Sequence, residues 1–124
     1  MSNRVKIVVD ASYILSFLFP DENFTDEIPG KMFAPALLDY EIANALRSAV
    51  VRKRISQKLA IKLFEEYQTF SITKKTVDFS KVLELSIKRQ ISTYDASYLV
   101  LARDLELKLM TLDKQLQKIS QPSP

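Results

Sequence analysis

The chain has no histidine, no cysteine and a single glycine, so its acids are the residues whose types and places could do chemistry. Four stand out: Asp10, Glu41, Asp95 and Asp113. Without His or Cys there can be no thiolate zinc site, no Cys nucleophile, no Ser-His-Asp arrangement and no imidazole acid or base. The lone Gly30 excludes a P-loop and a GxGxxG dinucleotide loop. An enzyme of this composition must work with Asp, Glu, Lys, Arg, Ser, Thr and Tyr, and a hard cation held by carboxylates is then the obvious source of catalytic power.

Each acid also has a plainer reading. Asp10 ends Lys6-Ile7-Val8-Val9, and Asp113 ends Leu109-Met110-Thr111-Leu112; both runs read as short buried strands. An Asp after a strand serves equally as a turn residue or a helix N-cap. In an open parallel sheet, however, two such residues converge outside the carboxyl ends of the strands, where ligands bind. Glu41 falls on the flank of an apolar helical stripe at about 100° per residue, with Asn44 on nearly the same face. It reads as a desolvated ligand group or as half of a surface ion pair. Asp95 sits in Ser92-Thr93-Tyr94-Asp95, a capping-box pattern sufficient to explain it.

As a set the acids gain weight. Carboxylates gathered in one crevice repel, and each unit of pKa displacement costs about 1.4 kcal/mol. A divalent cation, with Mg²⁺ the usual choice, offsets that cost, and one or two such ions can orient water for in-line attack on a phosphodiester.

The elements that must position the acids follow from periodicity. Residues 11–19 read as a short helix, residues 21–30 as a polar loop or weak helix, and residues 31–34 as a second strand. Pro35 is expected to open a long helix, with Leu38, Ile42, Ala45, Leu46, Ala49 and Val50 on one face, closed by Arg52-Lys53-Arg54. Ser56 caps the next helix, and residues 70–73 form a third strand. Residues 79–89 form an amphipathic helix with Val82, Leu83 and Ile87 inward. Ser92 or Thr93 caps a helix to about residue 106, apolar enough to be buried on more than one side. A short helix over residues 114–119 and a frayed tail over residues 120–124 complete the chain. Alternating short strands and helices define an α/β fold, a three-layer α/β/α sandwich around a short parallel sheet, in one domain over residues 1–119. The most apolar N-terminal stretch, residues 7–20, is too short for a membrane span and carries Asp10, so a cytoplasmic protein is expected.

Four stretches resemble, in order and spacing, the motifs of the PIN-domain nucleases. They are Val8-Val9-Asp10-Ala11-Ser12, Glu41-Ile42-Ala43-Asn44-Ala45-Leu46, Thr93-Tyr94-Asp95-Ala96-Ser97-Tyr98-Leu99 and Leu109-Met110-Thr111-Leu112-Asp113-Lys114. In size and layout the chain is most similar to the VapC-type toxins of prokaryotic toxin–antitoxin pairs. The resemblance implies that Asp10, Glu41, Asp95 and Asp113 bind Mg²⁺ or Mn²⁺ and cleave single-stranded RNA. It implies supporting hydroxyls at Ser12 and Thr111, a homodimer, and a small antitoxin partner. The chain departs from the pattern before its last strand, where relatives often have Gly and Asp104-Leu105-Glu106-Leu107-Lys108 has none.

RNA would need cations for its phosphates. With a net charge of +3 the balance permits an anionic partner without requiring one. Lys114 is expected nearest the site; Arg47, Arg52, Lys53 and Arg54 are candidates too, but read first as a solvated helix end. Tyr13, Tyr40 and Tyr94 neighbour the acids and could stack on a base, or could serve packing. Two other function classes compete: a non-catalytic PIN-like module that binds RNA or protein, and a phosphate-accepting signalling domain. The latter leaves Glu41 without a role.

Overall fold

The structure is a computed structural model and describes residues 5–19 and 30–120. Its order is β1 (Val5–Val9), α1 (Ala11–Leu18), β2 (Gly30–Pro35), α2 (Leu37–Val51), α3 (Gln57–Gln68), β3 (Ile72–Lys75), α4 (Phe79–Arg89), α5 (Thr93–Leu105), β4 (Lys108–Met110) and α6 (Lys114–Ser120). The four strands form one sheet in the order β3-β2-β1-β4, and every pairing is parallel. The chain therefore builds outward from β1 through β2 to β3, then returns to β1's other side. The reversal between β1 and β4 is the topological switch point, where an open α/β sheet opens a crevice.

Alternation along the strands divides the core. Ile7, Val9, Met32 and Ala34 face a cluster with Ile14, Leu38, Ile42 and Leu46, from the α1–α3 side. Val8 and Leu109 face a second cluster with Val82, Leu99 and Leu116, from the α4–α6 side. This is the three-layer α/β/α sandwich read from the sequence. Helix α5 is buried continuously from Ala96 to Ala102, in keeping with its apolar content. No helix among the described residues is long and apolar enough to cross a membrane.

Several boundaries differ from the expected ones for identifiable reasons. Pro35 closes β2 opposite Lys75 rather than opening α2, which begins at Leu37. Proline lacks an N–H, and the last position of a ladder can spare one. Gly30 begins β2 instead of ending a loop. It pairs with Val5, and a Cβ there would lie 1.9 Å from the Val5 carbonyl oxygen. The rest of the expected loop, residues 21–29, lies outside the described residues. The third strand lies two residues later than expected, at Ile72–Lys75, because Phe70 still closes the α3 turn through its N–H to the Tyr67 carbonyl. Strand β4 stops at Met110. Beyond it, Leu112 donates its N–H to the Ser12 hydroxyl instead of to a neighbouring strand.

In α4 the inward residues are Val82, Leu85 and Ser86, whereas Leu83 and Ile87 are 54% and 69% exposed. The buried stripe follows i, i+3, i+4 from Val82, and Leu83 and Ile87 lie outside it. Ser120 is the last residue of α6, and the remainder of the expected tail lies outside the described residues.

Candidate active site

Asp10 directly follows β1 and caps α1. Its Oδ1 accepts from the Tyr13 N–H at 3.0 Å and from the Ser12 hydroxyl at 2.8 Å, and its Oδ2 accepts from the Thr111 hydroxyl at 2.5 Å. The side chain is 5% exposed. Thr111 also accepts from the Asp113 N–H at 3.0 Å, and its carbonyl accepts from the Gln117 amide at 2.8 Å. Ser12 and Thr111 thus stitch the end of β1 to the segment leaving β4 across the switch point.

The plainer readings of three acids hold alongside any chemistry. Asp10 is an N-cap. Asp113 accepts from the Leu116 N–H at 3.0 Å, as the cap of α6. The Ser92 hydroxyl accepts from the Asp95 N–H at 3.0 Å, which places Asp95 in the first turn of α5. Each cap contributes about 1 kcal/mol to its helix. Glu41 has no such duty. It is half-buried in the second turn of α2, and its Oε1 accepts from the Tyr98 hydroxyl at 2.5 Å. Tyr98 is 1% exposed.

The electrostatics join the acids into one neighbourhood. Burial pushes the Asp10 carboxyl above its ordinary value, against the hydrogen bonds from Thr111, Tyr13 and Ser12, and repulsion from Asp113 adds to the rise. Burial also raises Glu41, opposed by Tyr98 and reinforced by Asp95 and Asp10. Asp95 is raised by burial, then by Asp113 and Asp10. Asp10 and Asp95 each interact electrostatically with the other three acids. Neither ion pair among the described residues, Lys74–Asp39 or Lys81–Asp104, involves any of the four.

As placed, no group of three or more acids among the described residues is close enough to hold an ion together. The acids share a field without sharing a point. The donor set is nonetheless all hard oxygen, and among the described residues no ion pair neutralises it. It fits an ion such as Mg²⁺ that keeps several waters and takes only one or two carboxylates directly.

The other expected residues divide clearly. Lys114 is exposed at the start of α6, next to Asp113. Asn44 is exposed and, among the described residues, hydrogen-bonds none of the acids. Arg52, Lys53 and Arg54 lie at the far end of α2, a 15-residue helix about 22 Å long. Tyr13 is in the core, while Tyr40 and Tyr94 are 77% and 60% exposed. Tyr94 also lines a groove of about 600 Å³ with Lys75, Phe79 and Leu83. Sequence reasoning missed Tyr98 as part of the site. The available signal was a tyrosine in a buried helix, whose hydroxyl must find a partner.

The family model described as "PIN domain" matches residues 7–122. The chain belongs to the PIN-domain family. This PIN domain is 34% identical over 121 residues to a Pyrobaculum aerophilum protein named Ribonuclease VapC3, covering 90% of this chain and 92% of that one. It is 33% identical over 118 residues to Ribonuclease VapC9 of Mycobacterium tuberculosis, covering 93% and 91%. The crystal structure of PAE2754 from Pyrobaculum aerophilum superposes with a TM-score of 0.74 at 25% identity, over 90% of this chain and 82% of that one. The resemblance drawn from the four motifs is thus borne out. The fold, with its parallel sheet between helical layers, is that of the family's PIN domain.

Proposed function

We propose that the protein is a metal-dependent endoribonuclease that hydrolyses phosphodiester bonds in single-stranded RNA, and that it is the toxin of a toxin–antitoxin pair. Support for this reading comes from Asp10, Glu41 and Asp95, whose carboxyls are raised by burial and further by neighbouring acids, Asp113 among them, while no ion pair among the described residues involves any of the four. The ribonuclease names of the VapC relatives support the substrate class. In this reading the four acids hold Mg²⁺ or Mn²⁺. The bound ion would polarise water and the phosphate oxygens. Ser12 and Thr111 fix Asp10 by their hydroxyls, and the Ser92 cap fixes the first turn that carries Asp95. Lys114 is the cation best placed to meet a phosphate, and exposed Tyr94 offers a face to a base. Asn44, exposed and without a bond to the acids, is the weakest of the supporting residues.

The partners follow the same reading: RNA as substrate, a small antitoxin as inhibitor, and a second copy of the chain. Self-association is supported by Phe79, Leu83 and Ile87, an exposed apolar stripe along α4. A cytoplasmic location belongs to the same reading. The domain is read as residues 1–119.

A second reading, a non-catalytic PIN module that binds RNA or protein, is favoured by the lack of three jointly placed acids among the described residues. One assay separates the two. Purified protein with single-stranded RNA and Mg²⁺ or Mn²⁺ should yield cleavage that EDTA abolishes. Cleavage that persists in EDTA excludes the metal mechanism. RNA retained intact on the protein, with or without metal, supports the binding module.

A further inference from the structure

We propose that Tyr98 is a positioning residue for Glu41: its hydroxyl holds one carboxylate oxygen and so sets the place of Glu41 relative to Asp10 and Asp95. The inference rests on the reading of the four acids as an ion-holding set.

Among the described residues, backbone N–H groups hold the carboxylates of Asp10 and Asp113 but not that of Glu41, and Asp95 is set only through its own N–H in the first turn of α5. Asp10 is gripped by three donors, Asp113 caps α6, and Asp95 follows its own N-cap. Glu41 projects from within α2 on a longer, more flexible side chain, and a free glutamate loses rotamer entropy whenever it is recruited to a ligand. The Tyr98 ring, by contrast, is packed in the α4–α6 core, so its hydroxyl is held by the fold. The hydrogen bond from Tyr98 to Glu41 therefore spans two layers, joining α5 to a helix packed on the sheet's other face.

Helical spacing adds a second consequence. Tyr98 lies three residues after Asp95, on neighbouring positions of one helix face. A single rigid element thus carries one acid and the holder of another, and the separation of Asp95 from Glu41 is fixed through α5. Without the hydroxyl, Glu41 keeps its charge but loses its place. Outer partners of this kind typically account for about 10–100-fold in metal affinity or activity.

The test is Mn²⁺ binding, followed by electron paramagnetic resonance, for wild type, Tyr98→Phe, Glu41→Gln and the double variant. Thermal melts in EDTA check folding. Tyr98→Phe keeps the ring and its packing, and should weaken Mn²⁺ binding by about 10–100-fold. In the Glu41→Gln background the same change should have little further effect on affinity. Equal affinity of Tyr98→Phe and wild type overturns the role of Tyr98 alone. An equal loss in both backgrounds overturns it too, because that is a general structural effect. Wild-type protein that binds no Mn²⁺ removes the ion-holding reading, and this inference with it. Should Tyr98→Phe melt below the assay temperature, Glu41→Asp, which retains charge but withdraws the carboxylate from the hydroxyl, should show the same loss; unchanged binding there overturns the proposal.

Discussion

At the residue scale, the acids are held in tension between burial and hydrogen bonding. Asp10 has three donors, yet burial still leaves its carboxyl raised. Glu41 and Asp95 have fewer compensating bonds and feel their neighbours' charge. A carboxyl raised in the folded state binds protons more tightly there than in the unfolded chain. Its contribution to stability is therefore greatest below the unfolded pKa and is lost as pH rises through the folded one. We predict that Glu41→Gln and Asp95→Asn raise the melting temperature in EDTA at neutral pH, and that the gain shrinks as pH falls towards ordinary carboxyl values. Differential scanning calorimetry across pH checks this. Lower or unchanged melting temperatures for both variants would count against a repulsive cluster. Asp10→Asn should not share the gain, because an amide cannot accept all three of its hydrogen bonds. Thr111, 5% exposed, bonds both Asp10 and the Asp113 N–H. Thr111→Val should cost about 1–3 kcal/mol in urea unfolding, with Thr111→Ser retaining most of the stability.

At the element scale, chain direction changes are made without the residues usually enlisted. The turn after α5 lacks glycine, and Glu106 adopts the left-handed conformation itself, at φ 56°. The Leu107 N–H then reaches the Ala102 carbonyl at 2.9 Å and closes the helix. Glu106→Gly should gain about 0.5–1 kcal/mol, the net of relieved strain and greater unfolded-state freedom, read from chemical denaturation. In α4, Leu85→Ala should cost about 2–5 kcal/mol. Leu83→Ser, at an exposed position, should stay within about 0.5 kcal/mol. Comparable losses at the two positions would contradict the observed facing of α4. The sequence pattern was enough for the elements and their order, because each strand contains a β-branched or apolar stretch and each helix has a stripe. It misjudged α4 because Leu83 and Ile87 are as apolar as a core pair, and patterning alone does not say which apolar residues stay outside. It misplaced β3 because Lys74 and Lys75 look like loop, although an edge strand tolerates lysine well.

At the scale of the whole molecule, topology gathers what the sequence keeps apart. Asp10 and Thr111 are separated by 101 residues and meet because β4 returns to β1. The positions of all four acids were legible from strand ends, a helix flank and a capping pattern. That they belong to one neighbourhood was legible only through the parallel α/β pattern and the family resemblance, and their closer approach was not legible at all, since no three of them among the described residues meet at one point. Tyr98 was not legible as a site residue, since in sequence it is one more bulky residue of a buried helix. The central claim is that Asp10, Glu41, Asp95 and Asp113 work as one unit on RNA. Groups that act as a unit are strongly non-additive when removed. The direct measurement is single-turnover cleavage of single-stranded RNA in Mn²⁺ by wild type, Asp10→Asn, Asp113→Asn and the double variant. The account predicts that each single change slows cleavage by roughly 100-fold or more, beyond the usual effect of losing an outer partner, and that the double is about as slow as the worse single. Losses that multiply in the double, or an Asp10→Asn variant as fast as wild type, would contradict it.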